Sequence, residues 1–159
     1  MFGTLNHQEI EDFLKRQYIG RIGCYAEGKT YVVPISYAYD GKNIYCHTQE
    51  GMKIKMMRHN PDVCFEVDSL ETMATWKSVI GFGNFQEITD KNERAKALHV
   101  LLSRVYPFIS SKKMQLGEHW PFEPDDVNEI KGVVFKIHLT EKTGRYEVND
   151  EPWYYNKSI

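Results

Sequence analysis

The chain has few of the residues that staple a fold and no run of residues that spans a membrane. Its 159 residues include three cysteines, Cys24, Cys46 and Cys64, and no CxxC. An odd count at spacings of about twenty residues excludes a zinc ribbon and a secreted disulfide framework, and it predicts buried free thiols. No apolar run approaches the roughly 20 residues needed to cross a bilayer. The N-terminal MFGTLNHQEIEDFL lacks the basic stretch and apolar core of a signal peptide. We therefore expect a cytoplasmic protein. Charge is balanced at a formal −2, which points to neither nucleic acid nor an anionic membrane as partner.

Catalytic signatures are missing as well. There is no GxGxxG and no GxSxG, and the one GxxxxGK[ST] match, GCYAEGKT at 23–30, runs from a strand through the Glu27-Gly28-Lys29 turn into another strand rather than into a helix. The six histidines are scattered at 7, 47, 59, 99, 119 and 138 without HExxH spacing, so we expect no zinc site. Glu87 and Asp90 stand near a strand end, but nothing in the pattern marks them as an acid–base pair. A chain of this kind suits chemistry that belongs to a bound cofactor.

Aromatic residues are plentiful, with ten Tyr and eight Phe. The length predicts a single domain, residues 1–159, large enough to bury a core without metal or disulfides. Asn6 and Glu9 form a capping box, and Ile10, Phe13, Leu14 and Tyr18 share a helical face, so residues 7–17 read as a helix ended by Gly20. Arg21–Ala26 reads as a strand. Tyr31–Asp40 alternates cleanly. Tyr31, Val33, Ile35, Tyr37 and Tyr39 share one face, and the smaller Val32, Pro34, Ser36 and Ala38 share the other. Pro34 marks either an edge strand or a strand whose backbone a flat ligand approaches. Asp40-Gly41 is a hairpin signal, and Asn43–Thr48 is the returning strand.

Gly51 then opens a short helix carrying Lys53, Lys55 and Arg58, which Asn60-Pro61 ends. Free N–H groups, the helix dipole and a nearby lysine favour a phosphate there. A short basic helix is more often only a solvated face. Val63–Asp68 reads as a strand, Ser69–Ala74 as a loop, and Trp76–Ile88 as a long strand interrupted by Gly81 and Gly83, which suggest a bulge or a close approach. Residues 91–105 form a capped helix. Residues 106–131 read as a long irregular loop, the kind that is often functional. Gly132–Leu139 is the last strong strand, and 143–148 either extends it or forms a short neighbour. About six strands linked mostly by short turns predict an α+β fold, a small, mainly antiparallel barrel with flanking helices.

The series GRIGCY, YVVPISYAYDGKNIYCHTQEGMKIKMMRHNPDVCFEVD and WKSVIGFGNFQEI resembles the pyridoxamine 5′-phosphate oxidase-related flavin proteins, above all their nitroimidazole-resistance subgroup. The likeness covers residues 5–105 well. It implies an FMN-binding split β-barrel, a homodimer with FMN between the subunits, and an oxidoreductase acting on a small aromatic or nitro compound. Carried over by position, Val33, Pro34, Ile35 and Ser36 would border the flavin ring. His47 and Thr48 would lie near the ribityl–phosphate end, and Met52 and Lys53 would hold the phosphate, with Lys55 or Arg58 as further cations. Trp76, Ser78 and Val79 would close the site across the dimer. Ser78 and the amides near Ile35 would tune the ring. The tail TGRYEVNDEPWYYNKSI lacks the Arg/His segment of true pyridoxamine phosphate oxidases, so vitamin B6 oxidation is not expected. Relatives on this fold also bind haem, with His47 or His119 as candidate axial ligands. A deazaflavin reductase is a third class, for which a more basic groove is expected.

Overall fold

Alternation, caps and glycines set the local structure of this chain, for which we use a computed structural model. It describes residues 1–104, 128 and 130–149. In chain order the elements are β1 (Phe2–Thr4), α1 (His7–Arg16), β2 (Ile19–Ala26), β3 (Lys29–Ser36), β4 (Ala38–Tyr39), β5 (Asn43–Thr48), α2 (Met52–His59), β6 (Asp62–Thr72), β7 (Thr75–Glu87), α3 (Lys91–Leu102) and β8 (Val133–Glu147). The strands form one antiparallel sheet in the order β3-β2-β6-β7-β8-β5-β4, with β1 added on β8. The sheet curls but stays open, because β3 and β4 end the path without pairing.

The caps read from sequence are in place. The Asn6 side chain accepts the Glu9 N–H while Glu9 accepts the Asn6 N–H. Asp90 accepts from the amides of Asn92 and Glu93 at the start of α3. Several boundaries differ from the sequence reading. Gly20 does not end α1. It lies inside β2, and Gln17 is the C-cap. Ser69–Thr72 are strand rather than loop, because β7 pairs with them through Thr75. Residues 133–147 are one continuous strand. The expected irregularity at Gly83 is present. The β7–β8 register slips between Phe82 and Gly83, and a Cβ on Gly83 would stand 2.2 Å from the His138 carbonyl oxygen.

The alternation of Tyr31–Tyr39 holds, but the strand breaks at Tyr37. There the backbone N–H donates to the Tyr18 carbonyl, and the hydroxyl donates to the Leu14 carbonyl at 2.6 Å. The ring packs edge-on against Phe65 at 4.9 Å. Held in this way, the chain leaves β2 and crosses to pair with β5. The core fills the concave side with Ile22, Phe65, Val67, Val79, Phe135 and Ile137, all fully buried. A second cluster seats Leu98 and Leu101 of α3 on Val134. Among the described residues one charged group is buried, Glu11. It accepts from Tyr39 and pairs with Lys142, tying α1 to β4 and β8.

Candidate functional site

Among the described residues β3 pairs only with β2, so no described strand covers its far edge. β4 pairs with β5 at Ile44 and Tyr45, and among the described residues no strand lies on that side of Cys46, His47 and Thr48. β3 returns close to β5 without forming a ladder. The two edges therefore flank a slot, where backbone N–H and C=O groups that no described strand pairs with stand available to a ligand. Val33, Pro34, Ile35 and Ser36 lie on one side of it, and His47 and Thr48 on the other. The Val33 and Ile35 side chains face the core. Pro34 and Ser36 face the outer side of the sheet, where Pro34 stands opposite Arg21.

The end of the slot is the start of α2. Unlike α1 and α3, this helix has no side-chain cap, and extended Gly51 stands at its N-cap. Its first amides are thus left open to an anion. Lys53 is half-buried there, and its charge reaches Cys46 on β5. Burial pushes the Cys46 thiol well above the ordinary value, and Lys53 offsets part of that rise. Met52 is half exposed beside it. Arg58 is not available as a further clamp. Its guanidinium donates to both Glu50 oxygens, at 3.0 and 2.8 Å, and to both Glu87 oxygens, at 2.7 and 2.8 Å. Nothing in the sequence pattern signalled that pairing.

His47 is positioned by the turn before β8. Its Nε2 lies 2.5 Å from the Lys131 carbonyl oxygen. A carbonyl only accepts, so Nε2 carries the proton and the neutral ring keeps its lone pair on Nδ1. Gly132, at φ +99°, permits the approach, since a Cβ there would stand 2.8 Å from Nε2 and 2.7 Å from the Thr48 carbonyl oxygen. Arg94 fixes the same turn by donating to the carbonyls of Ile130 and Gly132. With Nε2 committed, a haem iron could take His47 only through Nδ1. His119 lies outside the described residues.

Burial holds the His47 pKa below the ordinary histidine value. The Lys131 carbonyl opposes this and the Arg94 charge adds to it. Below about 6.5 the unfolded chain therefore takes up a proton that the folded chain resists. Stability should fall as pH drops through that value and stay level above it. Thermal unfolding at pH 5.5 and 7.5 checks this. His47→Gln, which keeps a donor for Lys131, should flatten the dependence, and an unchanged slope in the variant would refute the assignment.

Trp76, Ser78 and Val79 do not join the slot within one chain. β7 lies three strands from β3, and Trp76–Val79 pair with Gly144–Glu147 of β8, well along from the Val133–His138 stretch that pairs with β5. Val79 is fully buried in the core, which leaves only its backbone to meet a ligand. Trp76 Nε1 donates to Glu147 at 2.9 Å, and the Ser78 hydroxyl donates to Glu66 at 3.2 Å. Both side chains lie on the outer face of the sheet, beside Ile80 and Phe82.

The family model of pyridoxamine 5′-phosphate oxidase matches residues 6–146, which include the slot, α2 and β7. The chain belongs to the pyridoxamine 5′-phosphate oxidase family. It is 32% identical over 150 residues to an uncharacterized protein of Rhizobium meliloti (strain 1021), covering 89% of this chain and 93% of that one. Among solved structures it resembles a FAD-binding protein from Mesorhizobium loti, at 31% identity and a TM-score of 0.70, over 93% of this chain and 99% of that one. It also shares its fold with a candidate 5-nitroimidazole antibiotic resistance protein from Bacteroides thetaiotaomicron VPI-5482. There the identity is 20% and the TM-score 0.68, over 92% and 87% of the two chains. The open, mainly antiparallel sheet with three helices is thus the split barrel of this family, as the sequence resemblance implied.

Proposed function

We propose that the chain is a flavin-dependent oxidoreductase that holds FMN, free or as the FMN half of FAD, and reduces a small aromatic or nitro compound. The observation that carries this reading is the slot between two unpaired strand edges, ending at an uncapped helix N-terminus with Lys53 beside it. Family membership and the likeness to the Mesorhizobium loti FAD-binding protein support a flavin. The slot's donors and acceptors are backbone groups, suited to the polar edge of a flat ring. The α2 amides and Lys53 would hold the phosphate. The bound flavin would supply electron transfer, and the protein would orient the ring and bond to its edge. Absorbance of the purified chain tests this. A flavin spectrum, carried through purification or gained on adding FMN, is expected. A preparation that stays colourless with FMN overturns the reading.

The same reading requires a homodimer. Ile80, Phe82, Val32 and Leu70 are exposed on one sheet face around the Arg21–Glu66–Asp68 ion-pair cluster. Exposed apolar residues gathered on one sheet face favour an interaction site. A second copy seated there would bring its Trp76 and Ser78 toward the slot. Light scattering should give twice the 18.7 kDa chain mass, and Phe82→Lys should yield a monomer with weakened flavin binding. A wild-type monomer carrying flavin would refute the dimer.

A further inference from the structure

Three consecutive carbonyls at the turn before β8 are engaged by two side chains. Arg94 on α3 donates through one nitrogen, Nη2, to the Ile130 carbonyl at 2.8 Å and to the Gly132 carbonyl at 2.9 Å. The Lys131 carbonyl between them meets His47 Nε2 at 2.5 Å. α3 is a firm support for this clamp. Asp90 caps it, and Ala97 and Leu98, one turn beyond Arg94, seat it against Val134 and Tyr45. Gly132, at φ +99°, lets the turn close against the end of β5. With its proton on Nε2, His47 keeps an acceptor at Nδ1, and that atom has no partner among the described residues. A half-buried acceptor left open on the β5 edge of the slot is suited to a donor on a ligand.

We propose that Arg94 is a positioning residue for the ligand, which holds the 130–132 turn and through it orients the His47 ring, so that Nδ1 accepts a hydrogen bond from a hydroxyl of the flavin's side chain. The inference rests on the flavin reading above and adds one side-chain acceptor to the backbone groups of the slot. His47 and Thr48 end β5 just before Gly51 and the open α2 amides. A flavin with its phosphate on those amides carries its hydroxylated chain between the ring and that seat. Arg94 itself meets backbone carbonyls, so it acts through the turn and through His47. Without its two bonds the turn loses its support, and the Lys131 carbonyl no longer selects one ring nitrogen. The ring then divides between tautomers and orientations, and ligand binding has to order it again.

Nitrogen NMR of the His47 ring in the labelled full-length chain reads this hold directly. At neutral pH wild type should show one tautomer, protonated at Nε2, and Arg94→Met should show a mixture. Arg94→Lys, whose single ammonium can meet both carbonyls, should restore the wild-type spectrum. Titrations with FMN, riboflavin and lumiflavin, which has the ring without the hydroxylated chain, test the role. Arg94→Met should weaken FMN and riboflavin alike, by about 2- to 12-fold, the contribution of one neutral hydrogen bond, and leave lumiflavin unchanged. His47→Phe should match that loss, and combining the two substitutions should add nothing further. An unchanged tautomer in Arg94→Met, additive losses in the double variant, or an equal loss for lumiflavin overturns the assignment and leaves the flavin reading standing. A wild-type chain that binds none of the three flavins overturns the flavin reading and the role of Arg94 with it.

Discussion

Lys53→Ala should weaken FMN binding by about 10- to 150-fold. A bound phosphate carries about −1.5 to −2 charges at pH 7. It would meet the open amides of α2, where the helix dipole already favours an anion. Lys53 adds one charge-assisted hydrogen bond, and such a bond contributes roughly 1.5–3 kcal/mol net. At about 1.4 kcal/mol per decade, that range gives the stated loss. Riboflavin lacks the phosphate, so its affinity should hardly change. Neither Arg58 nor the helix cap can compensate, because Arg58 is fully engaged by Glu50 and Glu87 and Gly51 offers no side chain. Folding should be preserved, since Lys53 is only half-buried and lies outside the core clusters. Equal losses for FMN and riboflavin would mean that Lys53 shapes the ring site instead. No loss for either would make it a surface residue.

Phe65→Ala should cost about 3–5 kcal/mol of stability. At the usual response for a chain of this size, that lowers the melting temperature by about 6–20 °C. The ring is fully buried on β6 and packs edge-on against Tyr37. Its loss leaves a cavity beneath the residue at which β3 departs from β2. Tyr37 also anchors α1 through the Leu14 carbonyl, so the void lies where the helix, the sheet and the slot meet. Flavin affinity should therefore fall together with stability. Phe65→Leu, which keeps most of the volume, should be much milder. Chemical denaturation measures both variants, and a loss under about 1 kcal/mol for Phe65→Ala would show that the site collapses around the void.

The sequence made much of this fold legible because its signals are local. The Asn6–Glu9 box, the Asp90 cap and the Asn43–Thr48 strand depend on near neighbours, and each is found where the pattern puts it. The break at Tyr37 could not be read that way. Its cause is a backbone bond to Tyr18, nineteen positions away, which leaves the alternation of side chains intact. Ser69–Thr72 looked like a loop for a similar reason. Apart from Leu70 those residues are polar, and pairing with the opposite strand makes them extended.

The site was legible in its parts more than in its assembly. Glycine followed by lysine at a helix start pointed to Lys53, and the unpaired β3 edge fits the reading of Pro34. The placement of Trp76 and Ser78 on an outer face, away from the slot, depends on sheet order, which a pattern of period two does not reveal. The engagement of Arg58 with Glu87 had no signal in the sequence, as those residues are far apart in the chain.

The central claim is that a flavin phosphate sits on the α2 N-terminus at the end of the β3–β5 slot. A crystal structure of the chain grown with FMN tests it most directly. The account predicts phosphate oxygens within roughly 2.7–3.2 Å of the first-turn α2 amides and of Lys53 Nζ, with the ring between β3 and the Cys46–Thr48 edge. Phosphate density on any other element, with the α2 amides bound only to water, would contradict it.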